Sequence, residues 1–284
     1  MGKYDKPIGE SGIEWTNRTW NPTTGCDKIS AGCKFCYAEG LALRLQAMSN
    51  PRYTNGFAVT LHADKVTEPT TWRSSEWVFV NSMSDLLHKD IPDDFILDVF
   101  ETMAVRAPWH RYQALTKRPE RWADISAKVV DRFGAFPRNV LPGTSVENKK
   151  ALARIPLLAA GGGNGACRML SVEPLLESLC DGDVRGLAQQ LTAGRVGWVI
   201  TGGEAGWHAR PAVADWFREL RDACALARVP FFHKQYGGVG TTKEAKRGGT
   251  MAVLDGVLHH EMPAVWAAPA PGKARDGQVS LPGA

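Results

Sequence analysis

The sequence contains no apolar run near the roughly 18–20 residues that cross a bilayer, which argues against a membrane-spanning helix. The opening residues Met1-Gly2-Lys3-Tyr4-Asp5 lack the apolar core of a secretory signal. A cytoplasmic location is therefore expected, where thiols stay reduced. Cysteine is scarce, with six in 284 residues, and a disulfide framework is not expected in that compartment. Excess charge is also lacking. The net +4 is too small to call for a nucleic-acid partner. One local excess stands out between Arg106 and Arg138, with eight Lys/Arg against three Asp/Glu. It reads as a solvated helix face or as a site for a phosphate-bearing substrate.

What is present is a rhythm. Val78-Phe79-Val80, Tyr112 to Leu115, Asn139 to Leu141, Arg168 to Leu170, Trp198 to Ile200 and Pro230 to Phe232 are short apolar runs bounded by turn residues. They recur about every 30 residues, the length of a strand–helix–strand unit. Between them lie helical stripes, Phe95/Ile96/Val99/Phe100/Met103, Trp122/Ile125/Val129 and Trp216/Leu220/Cys224. A further strand near Thr19-Trp20-Asn21 and a helix from about Tyr37 to Met48 complete the pattern.

Such units give parallel strands with right-handed crossovers. A full eight-stranded barrel takes about 250 residues, more than the chain offers before Gly237. The expected fold is therefore an α/β partial, open parallel β/α barrel of six or seven strands over residues 1–240. A doubly wound sheet is the alternative. Asp255-Gly256 between two apolar runs predicts a β-hairpin extension in residues 241–266. The Ala/Pro/Gly-rich residues 267–284 read as a flexible tail. Gly161-Gly162-Gly163-Asn164-Gly165 precedes a strand instead of following one, so it reads as a flexible connection and not as a phosphate loop.

Three of the six cysteines, Cys26, Cys33 and Cys36, fall within eleven residues. Cys167, Cys180 and Cys224 are scattered and read as small core residues. Thiolates at this density select zinc or an iron–sulfur cluster. A structural zinc site and a conventional cubane both use four ligands, and no fourth cysteine lies nearby. Either a histidine, His62 or His88, completes a zinc site, or three ligands leave one metal position open.

Cys33-Lys34-Phe35-Cys36, with an aromatic residue just before the last cysteine, resembles the second half of the three-cysteine motif of radical S-adenosylmethionine enzymes. The first spacing departs: six residues separate Cys26 from Cys33, where three is usual. From about Ile13 to Gly238 the chain is similar to a phage-associated three-cysteine-motif family. The similarity rests on Trp20-Asn21-Pro22, Gly25-Cys26, Cys36-Tyr37-Ala38, Thr116-Lys117-Arg118-Pro119, Gly143 to Asn148, Ser171-Val172-Glu173-Pro174 and Thr201-Gly202-Gly203-Glu204.

The resemblance implies a [4Fe–4S] cluster on Cys26, Cys33 and Cys36, with S-adenosylmethionine chelating the unique iron. An electron from an external donor would cleave that cofactor to a deoxyadenosyl radical, which abstracts hydrogen from a substrate. Phe35 would be the aromatic of the cofactor site. Asn81, Ser82 and Asp85 stand where the family holds the methionine amino group, although its usual Gly-Gly-Glu segment is missing. Lys117 and Arg118 follow the next strand and would meet the methionine carboxylate or a substrate phosphate. Ser145 and Glu147 stand where a ribose-binding residue is usual.

Glu173 and Glu204 end later strands and need partners, with Arg168, Arg210 and Lys234 as candidates. Trp207-His208-Ala209-Arg210 and His233-Lys234-Gln235 bring aromatic and basic groups to the same rim, suited to a nucleotide, a polar small molecule or a peptide, while His208 and His233 read as hydrogen-bonded structural histidines before catalysts. The substrate is not named by the sequence; nucleic acid or a nucleotide is the candidate. The rival reading is a zinc-stabilised, non-catalytic nucleic-acid-binding protein using the basic segment and the ten tryptophans.

Overall fold

β-branched and aromatic residues favour a pleated surface buried on both faces, and the short apolar runs form such a surface. In the computed structural model, which describes residues 11–163, 165–239 and 251–264, seven strands build one sheet. They are β1 (Arg18–Trp20), β2 (Trp77–Val80), β3 (Arg111–Thr116), β4 (Val140–Ser145), β5 (Arg168–Val172), β6 (Val196–Gly202) and β7 (Phe231–Gln235). Every pair is parallel and the spatial order follows the chain. The sheet curls into a half-barrel with β1 and β7 at its edges. The expected partial barrel is therefore the fold, and the doubly wound alternative is excluded because strand order never reverses.

Period-two alternation divides the core. Val78, Val80, Tyr112, Val140, Leu170, Val172 and Val199 join the layer that packs under the helices. Their neighbours Trp77, Phe79, Leu141, Met169, Trp198, Ile200 and Phe232 form a second cluster on the opposite face, closed by Trp15. Gln113 donates to the Trp15 carbonyl at 3.0 Å and ties that plug to β3.

The helices are α1 (Tyr37–Ala47), α2 (Asp93–Glu101), α3 (Trp122–Phe133), α4 (Arg154–Ala159), α5 (Val184–Ala193) and α6 (Ala214–Ala227). The stripe expected from Phe95 to Met103 runs through α2 and into a π-helical turn over Thr102–Arg106. α3 ends at Gly134, whose φ of +80° is the left-handed C-terminal cap that glycine adopts without strain. None of the helices among the described residues is long and apolar enough to cross a membrane.

The basic excess between 106 and 138 is largely neutralised by α2 and its surroundings. Arg121 and Lys128 pair with Asp93, Lys128 also with Asp124 at 2.8 Å, Arg132 with Glu101 at 2.8 Å, and Arg106 with Glu101 at 2.6 Å. The segment is a salt-bridged helix face, which removes the main support for a phosphate-binding surface there. The tryptophans are likewise core residues for the most part, with Trp15, Trp20, Trp77, Trp122 and Trp198 buried.

The C-terminal hairpin pairs β8 (Val253–Leu254) with β9 (Val257–Leu258) through Asp255 and Gly256, both at positive φ, as a two-residue turn requires. It is docked, with Asp255 accepting from Arg218 and Arg221 on α6. The following residues run antiparallel along β7. His233 N donates to His259 O at 2.8 Å, and the His260 ring stacks on Phe232 at 4.2 Å. This segment covers an edge strand that would otherwise offer unpaired backbone. Residues 241–250 and the expected tail at 267–284 lie outside the described residues.

Candidate metal centre

In a parallel α/β sheet the strands deliver polar residues to their carboxyl ends. Here the cysteine loop, residues 21–36, folds across that edge. Asn21 at the end of β1 accepts from Met83 N at 2.9 Å. Thr23–Thr24 pairs with Thr60–Leu61 in a short antiparallel ladder, Gly25 N donates to Met83 O, and Cys26 N donates to Phe57 O. Gly25 has φ +85°, and a Cβ there would lie 2.2 Å from Ala58 O. Gly25→Ala is therefore expected to destabilise the protein by about 2 kcal/mol or more, read as a lower urea midpoint. Gly40→Ala on α1, where a Cβ meets nothing within 4 Å, is the control and should be neutral or slightly stabilising. Equal midpoints for the two variants would refute the steric argument.

The three thiols sit differently. Cys26 Sγ is 3.4 Å from Arg118 Nη1. Burial and the Asp85 charge push its pKa up, against the lowering pull of Arg118. Cys33 Sγ lies 3.5 Å from Ser30 Oγ. Burial opposes its ionisation, yet its pKa is lowered by the Ile29 and Ser30 hydrogen bonds and the Lys117 charge. Cys36 sits just before α1, makes no side-chain hydrogen bond to it, and packs against the small cluster of Ala38, Ala42, Tyr53 and Met83. The remaining cysteines are half-buried (Cys167, Cys180) or fully buried (Cys224) against the core, as expected.

The three sulfurs do not all lie within 4.8 Å of one another. Thiolates about 2.3 Å from one tetrahedral zinc would stand some 4 Å apart, whereas a cubane spreads its thiolates over separate irons. The histidines considered for a zinc site are otherwise engaged. His62 Nε2 is 2.9 Å from Thr24 Oγ1. His88 is fully buried, accepts from Asp90 N at Nδ1, and so carries its proton on Nε2, 3.1 Å from Asp27 Oδ2. Asp27, His88 and Asp90 do bring three ligand atoms within 4.8 Å, but both imidazole nitrogens are already used.

The strand-end residues form the floor beneath the loop. After β2, Asn81 takes φ +63° and donates to Thr23 and Ser84, while its own Oδ1 is buried with no hydrogen-bond partner. Ser82 exchanges hydrogen bonds with Asn21, and its carbonyl accepts from Tyr37 OH. Asp85 is committed elsewhere: its carboxylate accepts from Leu87 N, Thr116 Oγ1, Lys117 N and Arg118 Nη1. Four acceptances fill a carboxylate, so Asp85 organises the end of β3, with no lone pair left over for a ligand ammonium.

Lys117 Nζ reaches Ser145 Oγ at 3.1 Å, joining the ends of β3 and β4. Glu147, fully buried, pairs with Arg154 at 2.9 Å. Burial would raise its pKa, but nearby Ser30, Arg154 and Lys117 lower it. Its other oxygen, Oε1, is buried without a hydrogen-bond partner, and Gly32 of the cysteine loop sits directly on its side chain.

Two of the three expected carboxylate partners are in place. Lys234 meets Glu173 at 2.9 Å and Arg210 meets Glu204 at 2.6 Å. Arg210 also donates to Ala31 O, holding the loop from its far side. Arg168 pairs with neither carboxylate. It begins β5 and donates to carbonyls of the 158–166 connection, because β5 carries it to the opposite end of the sheet. His233 does not reach the rim and is a hydrogen-bonded structural histidine, the other reading of it. It is fully buried beside Thr201, and burial pushes its pKa down to about 4.

Around the mouth, Phe35 is half-exposed, stacks on His208 at 5.4 Å and lies under the Lys34 and Arg210 cations. Trp207 is 88% exposed. Tyr37 keeps its ring in solvent while its hydroxyl is tucked onto Ser82 O, and burial of that hydroxyl raises its pKa.

The three cysteines thus share one loop, and the strand ends nearby carry two buried acceptors without a hydrogen-bond partner, Asn81 Oδ1 and Glu147 Oε1. Residues 10–263 match the model of a family described as "Protein of unknown function (DUF5131)", and the chain belongs to that family. No curated protein and no solved structure matches it.

Proposed function

We propose that this family member is an iron–sulfur enzyme of the radical S-adenosylmethionine type, with Cys26, Cys33 and Cys36 as the ligands of a [4Fe–4S] cluster. One observation carries the reading: the three thiols share a loop laid over the carboxyl ends of an open parallel half-barrel, and no other cysteine belongs to that loop. A cluster held by these residues would supply one electron, received from an external donor, for reductive cleavage of S-adenosylmethionine.

The chain's own residues bind and orient. Asn81 Oδ1 and Glu147 Oε1 are buried acceptors without partners. They suit the methionine ammonium after β2 and a ribose hydroxyl after β4, since a donor arriving at either relieves an unpaired buried polar atom. Lys117 and Ser145, already in contact, suit the methionine carboxylate. Ser82 sets the Asn21 and Tyr37 side of the mouth. Phe35 offers an aromatic face, and Asp85 acts by fixing its neighbours. The exposed Trp207 with His208, Lys34 and Arg210 makes a nucleotide or nucleic acid the favoured substrate class.

Anaerobic reconstitution tests the reading. About four irons and four sulfides per chain are expected, lost together in the triple Cys26/Cys33/Cys36→Ala variant. One tightly bound zinc with no iron would overturn it in favour of a metal-stabilised binding protein.

A further inference from the structure

The three thiols are not equivalent. Cys26 alone among them meets a guanidinium, and that group is held from three directions. Arg118 Nη1 lies 3.4 Å from Cys26 Sγ and 3.0 Å from Asp85 Oδ2, while Nη2 donates to Asp27 O at 3.3 Å. The ion pair with Asp85 is nearly dry, with side-chain exposures of 7% and 6%. Asp85 in turn is pinned by Thr116 Oγ1 at 2.6 Å and Lys117 N at 3.0 Å. The guanidinium therefore bridges Asp85, which follows β2, and the cysteine loop, from its own place at the end of β3.

A donor aimed at a thiolate sulfur stabilises the more negative, reduced state of an attached cluster more than the oxidised one. Such hydrogen bonds and burial are the levers by which a protein sets a cluster's potential. Arginine suits the task because its charge persists in a dry site and its planar fork serves sulfur and carboxylate at once. Cys33 instead has the Ser30 hydroxyl 3.5 Å from its sulfur, the Ile29 and Ser30 backbone beside it and the Lys117 charge nearby.

Resting on the cluster reading above, we infer that Arg118 is a positioning residue whose hydrogen bond to Cys26 raises the cluster's reduction potential. The asymmetry places this tuning at the iron that Cys26 holds. Asp85 limits its size, since the carboxylate shares the same guanidinium.

The experiment is a potentiometric titration of the anaerobically reconstituted full chain, followed by electron paramagnetic resonance, for wild type, Arg118→Gln and Arg118→Lys. At a fixed poise, Arg118→Gln is expected to show an about tenfold lower ratio of reduced to oxidised cluster, a midpoint 59 mV more negative for one electron. Arg118→Lys keeps the charge but cannot serve both partners, and its midpoint should fall between the two. If Arg118→Gln takes up no iron, the lysine variant decides, and a wild-type midpoint there overturns the inference. An intact cluster in Arg118→Gln at the wild-type midpoint likewise overturns it and leaves the cluster reading standing. A wild-type chain that binds no iron overturns both.

Discussion

Arg168→Met is expected to destabilise the protein by roughly 3–5 kcal/mol, among the largest effects of any single substitution outside the cysteine loop. The argument is a hydrogen-bond count. Arg168 is 2% exposed, and its guanidinium donates to the carbonyls of Leu158, Ala159, Gly161, Gly163 and Ala166. Burial depresses its pKa, and the carbonyl dipoles it meets oppose that cost, two of them at the end of α4, where a cation is favoured.

Methionine fills similar volume without a donor and leaves several carbonyls unpaired, each costing about 1–3 kcal/mol where water cannot enter. Some of these bonds are only partly buried, so water recovers part of the loss. Arg168→Lys should fall between, because one ammonium cannot reach five acceptors spread over the connection. Urea titration by far-ultraviolet circular dichroism measures both. A methionine variant within 1 kcal/mol of wild type would show that the carbonyls are satisfied without the guanidinium.

Arg168 also shows where reading the sequence fails. As a residue type it advertises a carboxylate partner, and Glu173 and Glu204 were at hand in the chain. Strand direction decides otherwise: Arg168 begins β5, whereas both glutamates follow strand ends, so they lie at opposite edges of the sheet. Lys234 and Arg210, which do share an edge with Glu173 and Glu204, were among the candidates, but which cation meets which carboxylate is set by the fold. Strands were legible because β-branched runs such as Val78–Val80 are bounded by turn residues.

Other elements gave weaker signals. β4 continues through Pro142 and Gly143 to Ser145, residues that ordinarily end a strand. Pro142 is tolerated because it lies opposite Ala114 on β3, while pairing to β5 begins only at Gly143. α5 carries a weak signal because its stripe has only three buried residues, Leu187, Ala188 and Leu191, and Gly186 in its first turn is a poor helix former. At the site, the sequence pointed to Cys26, Cys33, Cys36 and the strand-end residues as candidates. It gave no sign that Arg118 reaches Cys26 or that Asp85 is saturated, since these contacts join residues 92 and 33 positions from Arg118.

With the cluster reconstituted and reduced, the wild-type chain is expected to release deoxyadenosine and methionine from S-adenosylmethionine in equal amounts, slowly when no substrate is present. Cys36→Ala should release none. The expectation follows from coordination: a cubane has four irons to ligate, and the loop offers three thiols. His62 and His88, the histidines considered as a further ligand, are held by Thr24 and by Asp27 with Asp90. One iron would then have no protein ligand, and a cofactor carrying amino and carboxylate groups would supply donors to it. Glu147→Gln provides a graded test of the same geometry. It keeps the shape but replaces a carboxylate oxygen by an amide, so turnover should persist with a raised KM, while loss of the Arg154 ion pair is read separately by thermal melting. An intact, reducible cluster that releases no deoxyadenosine at any cofactor concentration would mean that the fourth iron is closed, and the radical chemistry would have to be abandoned even with every cysteine correctly assigned.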